Sequence, residues 1–125
     1  MANLLSSNGE SLLLTTLLTS RFISLHTALP SDAGSNEVST SGTAYARQAG
    51  GTFTQASNNP TTASNAAQID FPIATASWGT VTHFGIWSAS SGGTFYGAWA
   101  LTTSKAIATD DIARFIIGAL VASLD

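Results

Sequence analysis

Two alternating segments in the second half of the chain constrain its fold most. In THFGIWS, Phe84 and Ile86 fall on one face of a strand, and in TFYGAWAL, Trp99 and Leu101 share a face. Successive side chains alternate across a strand, so each segment has one face available for a core. The Gly-rich linker ASSGG between them is typical of a hairpin loop. We therefore predict an antiparallel hairpin that buries these four side chains between two sheets.

Other alternating segments lie before this hairpin, in RFISLHTAL and in IDFPI. In the first segment, Ile23, Leu25 and Thr27 are predicted to share one face of a strand. In the second, Ile69, Phe71 and Ile73 are predicted to point inward. Short strands are also predicted at residues 45–48 and 52–55, with polar loops at 31–44 and 57–67. Short strands separated by Gly and Ser turns predict an all-β fold, specifically an antiparallel jelly-roll-type β-sandwich.

The N-terminal segment has a helical period instead. Ser7 and Glu10 have the spacing of a capping box, in which each side chain satisfies a free backbone N–H at a helix start. The residues that follow form one apolar stripe, namely Leu13, Leu14, Leu17 and Leu18. We predict a helix at residues 8–19 that packs against the rest of the chain, since so short a helix is marginal alone.

The C-terminal segment at residues 112–124 fits either a helix or a strand. Its apolar residues can form a helical stripe, but Gly118 disfavours a helix by about 1 kcal/mol relative to Ala. Its Ile, Phe and Val residues favour a strand, and we predict a strand here. The whole chain is expected to be a single domain at 1–125, with a helical segment at 1–20 and the sandwich at 21–125.

The composition excludes several classes of function. The chain has 125 residues, no cysteine, a net charge of −3 and only four basic residues. Too few cations are present to neutralise a run of phosphates, so we expect no nucleic-acid partner. No apolar stretch is long enough to span a bilayer, so we expect no membrane partner. Charged residues make up only 9% of the chain, against about 25% in ordinary soluble domains, which suits a surface covered by partner proteins.

The chain offers little chemistry for catalysis or for cofactors. Its two histidines, His26 and His83, lie in predicted strands, where a histidine satisfied by its neighbours is the more common role. The loop sequence DAGSNE offers Asp32, Asn36 and Glu37 as oxygen ligands, an incomplete set for calcium. We therefore predict a protein that is not an enzyme and has no metal and no cofactor. Whether the 31–44 loop binds an ion stays open.

The polar stretch at residues 34–53 contains the most distinctive residues of the chain. Arg47 can pair with Glu37 across the loop or bind a carboxylate on a partner. An exposed pair would stabilise the fold by at most about 1 kcal/mol, and Arg47→Ala would then leave the melting temperature nearly unchanged. Tyr and Arg are enriched in interface hot spots. We therefore predict a protein–protein interface, with its residues at Asn36, Glu37, Tyr45, Arg47 and Trp87.

Residues 25–48, LHTALPSDAGSNEVSTSGTAYARQ, resemble the signature of a family of small tailed-bacteriophage structural proteins. The Asn36-Glu37-Val38 and Tyr45-Ala46-Arg47-Gln48 motifs carry the resemblance. It continues through residues 71–105 and includes the leading Leu-rich segment. Members are described as tail-fibre-like, minor structural or capsid decoration proteins. Leu29 departs from the family pattern, which usually has an acidic residue before the proline.

The resemblance implies a virion structural protein, made in the host cytoplasm. Our main hypothesis is a capsid decoration (cement) protein that stabilises the shell through contacts with the major capsid protein. The alternative is a tail-fibre or tail-tip component that contacts tail proteins and the host surface. The low charge and the predicted outward positions of Trp87 and His83 favour a homo-oligomer, with a trimer expected because closed symmetry suits capsid three-fold positions.

Overall fold

The computed structural model describes residues 5–57 and 61–124. These residues contain one helix and nine strands. In chain order they are α1 (Ser7–Leu18), β1 (Phe22–His26), β2 (Gln48–Ala49), β3 (Phe53–Ser57), β4 (Thr61–Asn65), β5 (Ile69–Asp70), β6 (Gly79–Trp87), β7 (Phe95–Ile107), β8 (Arg114–Phe115) and β9 (Val121–Leu124). The predicted β-rich chain with a short N-terminal helix is confirmed.

The strands pair into three sheets. A four-stranded sheet has the order β2-β1-β6-β7, a three-stranded sheet has the order β3-β4-β9, and β5 pairs with β8. Each pair is antiparallel, as predicted. The jelly-roll arrangement of these sheets stays a prediction.

The hairpin predicted from the two alternating segments is formed by β6 and β7. Phe84 pairs with Trp99 in the register, and their ring centroids lie 5.8 Å apart. Phe84 and Ile86 are fully buried, but Trp99 and Leu101 are only partly buried. Because β7 is the edge strand, the Trp99 indole reaches the surface and donates to the carbonyl of Ser123 (2.9 Å).

The N-terminal helix begins one residue earlier than predicted. Its N-cap is Ser6, whose Oγ accepts a hydrogen bond from the N–H of Gly9 (3.2 Å), so the predicted capping box at Ser7 is wrong. Glu10 is buried and accepts from the Thr61 hydroxyl (3.1 Å). Leu14 and Leu18 are buried against the sheets, whereas Leu13 is 49% exposed.

The predicted loop at 57–67 is partly wrong, because it contains β4. Residues 58–60 lie outside the described part of the chain. Strand β4 is central in its sheet, and its inward side chains are Thr61, Ala63 and Asn65. Asn65 accepts from the N–H of Leu120 (2.9 Å) and donates to the carbonyl of Ile116 (3.0 Å), which satisfies the buried amide. The strand was not predicted because its small, mostly polar residues show no alternation of apolar and polar side chains.

Three shorter segments also differ from their predictions. The strand predicted at 45–48 is reduced to β2, and the one predicted at 52–55 is β3. The C-terminal segment is extended, as predicted, but a turn with Gly118 at φ +85° divides it into β8 and β9. Ile69 and Phe71 are buried as predicted, whereas Ile73 is exposed because the chain leaves the strand after β5.

An aromatic cluster lies below the long loop that follows β1. The Tyr45 ring stacks on Phe71 and meets Trp78 edge-on, with centroids 6.1 and 5.3 Å away. Phe71 in turn contacts Phe115 (5.9 Å). The Trp78 indole donates to the carbonyl of Thr43 (2.9 Å). The cluster therefore ties the loop to the core through both packing and a hydrogen bond.

The helix in the described part of the chain, α1, has 12 residues and is too short to span a bilayer.

The buried hairpin position of Phe84 leads to a stability prediction. Phe84→Ala removes a fully buried ring that packs on Trp99. We expect the free energy of unfolding to fall by about 3–5 kcal/mol, the usual range for deleting a buried aromatic side chain. Urea unfolding followed by tryptophan fluorescence measures this. The control is Tyr96→Ala on the exposed side of β7, and an equal loss in both variants would contradict the register.

Candidate functional site

The loop between β1 and β2 is held against the edge and one face of the four-stranded sheet. The N–H of Thr27 donates to the carbonyl of Asn36 (3.0 Å), and the N–H of Val38 donates to that of Leu25 (3.0 Å). His26 and Glu37 form an isolated bridge. The predicted loop at 31–44 is therefore confirmed, except that Glu37 in its second half forms one β-bridge with His26 of the sheet.

Glu37 lies at the centre of the site. Its carboxylate accepts two hydrogen bonds from Arg47, from Nε to Oε2 and from Nη2 to Oε1, both at 2.9 Å. It also accepts from the Tyr45 hydroxyl (2.7 Å). The side chains of Arg47 and Glu37 are only 9% and 19% exposed. The predicted pair across the loop is confirmed, but it is largely buried, so the estimate for an exposed pair does not apply.

The remaining donors of Arg47 join this loop to the β6–β7 turn. Nη1 donates to the carbonyls of Ala89 (3.1 Å) and Gly92 (2.8 Å). The guanidinium carbon lies 3.6 Å from the centre of the Trp87 ring, which is a cation–π contact. We call Glu37, Tyr45, Arg47 and Trp87 the clamp, because together they hold two loops that are more than 40 residues apart in sequence.

Tyr45 connects the clamp to the edge of β1. Its hydroxyl accepts from the N–H of Leu25 (3.0 Å) and donates to Glu37. Burial, followed by the hydrogen bond to Glu37, raises the pKa of Tyr45 well above its ordinary value. The phenol therefore stays protonated. Its oxygen accepts the hydrogen bond that the Leu25 N–H would otherwise donate to a neighbouring strand.

Trp87 extends the clamp to the buried face of β1. Its indole N–H donates to Ser24 Oγ (2.9 Å), and Ser24 Oγ lies 2.6 Å from His26 Nε2. His26 Nδ1 lies 2.8 Å from the carbonyl of Ser35, which can only accept, so Nδ1 carries the proton and Ser24 donates to Nε2. The predicted outward position of Trp87 is wrong: Trp87 is 8% exposed, because the loop covers this face.

Two glycines allow the loop to lie this close to the sheet. Gly34 has φ +73°, and a Cβ there would overlap the Trp87 ring. A Cβ at Gly85 would lie 2.5 Å from Ser24 Oγ and 2.8 Å from His26 Nε2. Either side chain would displace the buried hydrogen-bonded chain, so both positions require glycine for space.

The electrostatics of the site favour a charged Glu37 and a neutral His26. Burial alone would raise the pKa of Glu37, but hydrogen bonds from Arg47 and Tyr45 outweigh it and hold the pKa below its ordinary value. Burial lowers the pKa of His26, and this effect exceeds the opposing hydrogen bond to Ser35. Both shifts are consistent with the hydrogen-bond directions given above.

Ser24 and His26 are hydrogen-bonded as a catalytic nucleophile and its base would be, but no substrate can reach them. Both side chains are completely buried beneath the loop. The other ring nitrogen faces a carbonyl rather than a carboxylate. In residues 5–57 and 61–124, no group of three His, Asp or Glu side chains is placed to hold a metal ion. These two residues thus contribute hydrogen bonds within the fold.

The structure brings four of the five predicted interface residues together in the clamp. Asn36 lies beside them at φ +63° and donates to the carbonyl of Leu29 (3.4 Å). Their contacts described here lie within the chain, and their role in an interface stays a prediction. A shallow groove of about 360 Å³ borders the clamp, with Thr40, Ser90 and Ser91 on its rim.

The buried half of the site was not predicted from the sequence. His26 was placed in a strand, but nothing in the sequence connects it or Ser24 with Trp87, which is 63 residues from Ser24. A signal was present in Gly85, because a glycine inside a strand often marks the close approach of another segment.

The fold and this site define a class of protein: a small antiparallel β protein whose motif residues hold its own loops together. The chain belongs to the family described as podophage GP4 fiber I protein gp80, whose model matches residues 11–123. No curated protein matches the chain. The resemblance to tailed-phage structural proteins is thereby confirmed, and the chain is a phage virion structural protein.

The buried pair leads to a prediction that reverses the one from the sequence. Arg47→Ala leaves the Glu37 carboxylate without its main partner, so we expect the free energy of unfolding to fall by about 3–5 kcal/mol. The matched control is Arg114→Ala, which removes a pair with Asp70 whose side chains are about half exposed, and it should leave the melting temperature nearly unchanged. Chemical unfolding of both variants measures the difference. A loss below about 1 kcal/mol for Arg47→Ala would show that the clamp behaves as an exposed pair.

His26 leads to a pH prediction. Its pKa in the folded chain is below the ordinary value of 6.5, so the unfolded chain binds a proton first as the pH falls. Stability is then fully present above pH 6.5 and declines below it, by up to about 1.4 kcal/mol per pH unit. The lowered pKa of Glu37 adds a loss only below its ordinary value of 4.5.

Unfolding at pH 7.5 and pH 5.0 isolates the contribution of His26. We expect the free energy of unfolding to decline over this range in the native chain and in His83→Gln, and to decline less in His26→Gln. Equal declines in the native chain and His26→Gln would assign the effect to other groups.

Proposed function

We propose that the chain is a fibre component of a podophage tail, where it acts through protein–protein contacts. The observation that carries this proposal is the match to a fibre protein family over residues 11–123. The family description supports the fibre alternative better than capsid decoration, which was our main hypothesis from the sequence. Capsid decoration stays a prediction.

The clamp supports a structural role. Arg47 donates to Glu37 on one loop and to Ala89 and Gly92 on another, so its side chain links the two loops. A buried pair adds little net stability to a fold. It favours one arrangement of the chain, because an arrangement that separates the partners leaves a buried charge unpaired. A fibre component benefits from such a fixed surface, because its contacts need the same loop geometry in every copy.

The surface composition supports contacts with other proteins. Only 9% of the residues are charged, and several large apolar side chains are exposed on different elements, including Leu12, Leu29, Tyr96 and Ile116. We propose tail proteins and further copies of the chain as partners, with the predicted trimer as one such assembly. The interface role of Asn36 and the clamp would then involve the groove rim at Thr40, Ser90 and Ser91, because Arg47 already donates within the chain.

We propose that the chain is not an enzyme and works without a cofactor. The hydroxyl–imidazole pair of Ser24 and His26 is completely buried. Because this pair lies away from the surface, it supports a protein that binds its partners without catalysing a reaction. Contact with the host surface would follow from a position at the end of the fibre.

Location on the virion tests the proposal. Antibodies against the purified chain, detected with gold particles on intact virions by electron microscopy, should label the tail fibres. Quantitative mass spectrometry of the same virions should give a copy number similar to that of other tail proteins. Labelling of the head with hundreds of copies would instead establish capsid decoration.

A further inference from the structure

A cavity of about 420 Å³ lies between β7 and the turn that joins β8 to β9. One of its walls is an irregular part of β7. The pairing of β6 with β7 leaves residues 101–104 of β7 opposite the single residue Thr82. Extra residues of this kind bend a strand and change the direction of the side chains that it carries. The wall is therefore a bulge and not a continuous strand edge.

The opposite wall is the turn at residues 116–119. The N–H of Ala119 donates to the carbonyl of Ile116 (3.0 Å), which closes the turn. Ile116 is 63% exposed, whereas Ala119 and Leu101 of the bulge are partly buried. These three side chains give the cavity an apolar surface on which the C–H groups of a ligand can pack.

The charged side chains that line the cavity are both basic. Lys105 and Arg114 are two of the four basic residues of the chain, and no acid is among the lining residues that the structure describes. The Lys105 ammonium lies 5.5 Å from the centre of the buried Phe115 ring, which is a cation–π contact. Within residues 5–57 and 61–124, Lys105 forms no ion pair. Its charge is therefore available to a ligand.

Arg114 is only partly occupied by its acidic partner. Its Nε and Nη2 donate to the two carboxylate oxygens of Asp70 (2.9 and 3.3 Å), which leaves the N–H groups of Nη1 for another acceptor. Asp70 offsets the charge of Arg114, so Lys105 supplies the net positive charge of the cavity. We therefore expect the cavity to take a single negative group.

Hydroxyl groups on the bulge are a further feature of the cavity. Thr102 and Thr103 are exposed and line it. A threonine hydroxyl can donate one hydrogen bond and accept others, so it can pair with the hydroxyl groups of a ligand in either direction. A ligand that combines a negative group, several hydroxyls and an apolar face matches all of these lining groups.

We propose that the cavity binds a carboxylated sugar of an acidic saccharide. The carboxylate lies against Lys105 and Arg114, where charge-assisted hydrogen bonds hold it. The sugar hydroxyls face Thr102 and Thr103, and the C–H face of the ring packs on Ile116. The volume of the cavity is within the range of about 300–1,000 Å³ that is common for small-ligand sites.

The shape of β7 favours a saccharide over an extended peptide. A peptide that adds to a sheet pairs its backbone with an edge strand. Residues 101–104 interrupt the regular spacing of β7, and the Trp99 indole already donates to the carbonyl of Ser123 in β9. A compact ligand needs no continuous edge. The proposal does not depend on the fibre assignment, because the cavity is formed within one chain.

Oligosaccharide binding to the purified chain tests the proposal. Tetragalacturonate is the probe, because each of its rings carries a carboxylate, and maltotetraose is its neutral counterpart. Nuclear magnetic resonance titration of the isotope-labelled chain should give a dissociation constant of about 1 mM or below for tetragalacturonate, with the amide shifts concentrated at residues 101–105 and 116–119. Maltotetraose should bind about tenfold more weakly or less, a difference of about 1.4 kcal/mol.

Substitutions separate the cavity from the overall charge of the chain. Lys105→Gln should raise the dissociation constant for tetragalacturonate about tenfold or more, and Lys105→Arg should retain most of the affinity. Arg21→Gln is the matched control, since it removes the same charge from a residue that does not line the cavity, and its affinity should match that of the native chain. Thr103→Val, at an exposed position, should weaken binding without a change in melting temperature.

Three outcomes would overturn the proposal. The first is equal affinity of the native chain, Thr103→Val and folded Lys105→Gln for tetragalacturonate. The second is a tetraglutamate peptide that binds as tightly as tetragalacturonate, which would assign the cavity to an acidic segment of a protein. The third is equal affinity for inorganic phosphate, which would make the cavity a general anion site.

Discussion

The pair between Glu37 and Arg47 is the interaction on which the rest of the structure depends. The Glu37 carboxylate accepts hydrogen bonds from the Arg47 guanidinium and from the Tyr45 hydroxyl. The guanidinium also lies over the Trp87 ring and donates to the carbonyl of Gly92 in the β6–β7 turn. The loop after β1 and the β6–β7 turn thus meet at the Arg47 guanidinium. Because the pair is largely buried, displacing either side chain would leave the other charge buried and unpaired.

Burial of the pair explains why the loop covers one face of the four-stranded sheet. With Trp87 held by Arg47, its indole N–H reaches Ser24, and the hydrogen bonds continue through His26 to the loop carbonyl of Ser35. The side chains of Ser24, His26 and Trp87 beneath the loop are then all hydrogen-bonded. A family motif that resembles a binding site in sequence therefore acts first as the internal support of a structural protein.

Much of the fold was predictable where apolar residues repeat with a clear period. The β6–β7 hairpin and the buried positions of Ile23 and Leu25 followed from alternation along strands, and the helix followed from its Leu stripe. Strand β4 was not predictable this way, since its inward residues are Thr61, Ala63 and Asn65. Its burial depends on Glu10 and on the turn before β9, which satisfy its polar groups.

The sequence by itself determined the β-rich class, the position of the helix and the low charge, and it left the pairing of Glu37 with Arg47 as one of two alternatives. These depend on local period, composition and short separations. Only the tertiary structure decided that this pair is buried, that Trp87 points inward and that Ser24 and His26 lie beneath the loop. These depend on contacts between segments far apart in sequence, such as Arg47 with Gly92 (45 residues) and Ser24 with Trp87 (63 residues). Alternation shows which residues share a strand face, but another segment of the chain decides whether that face is covered.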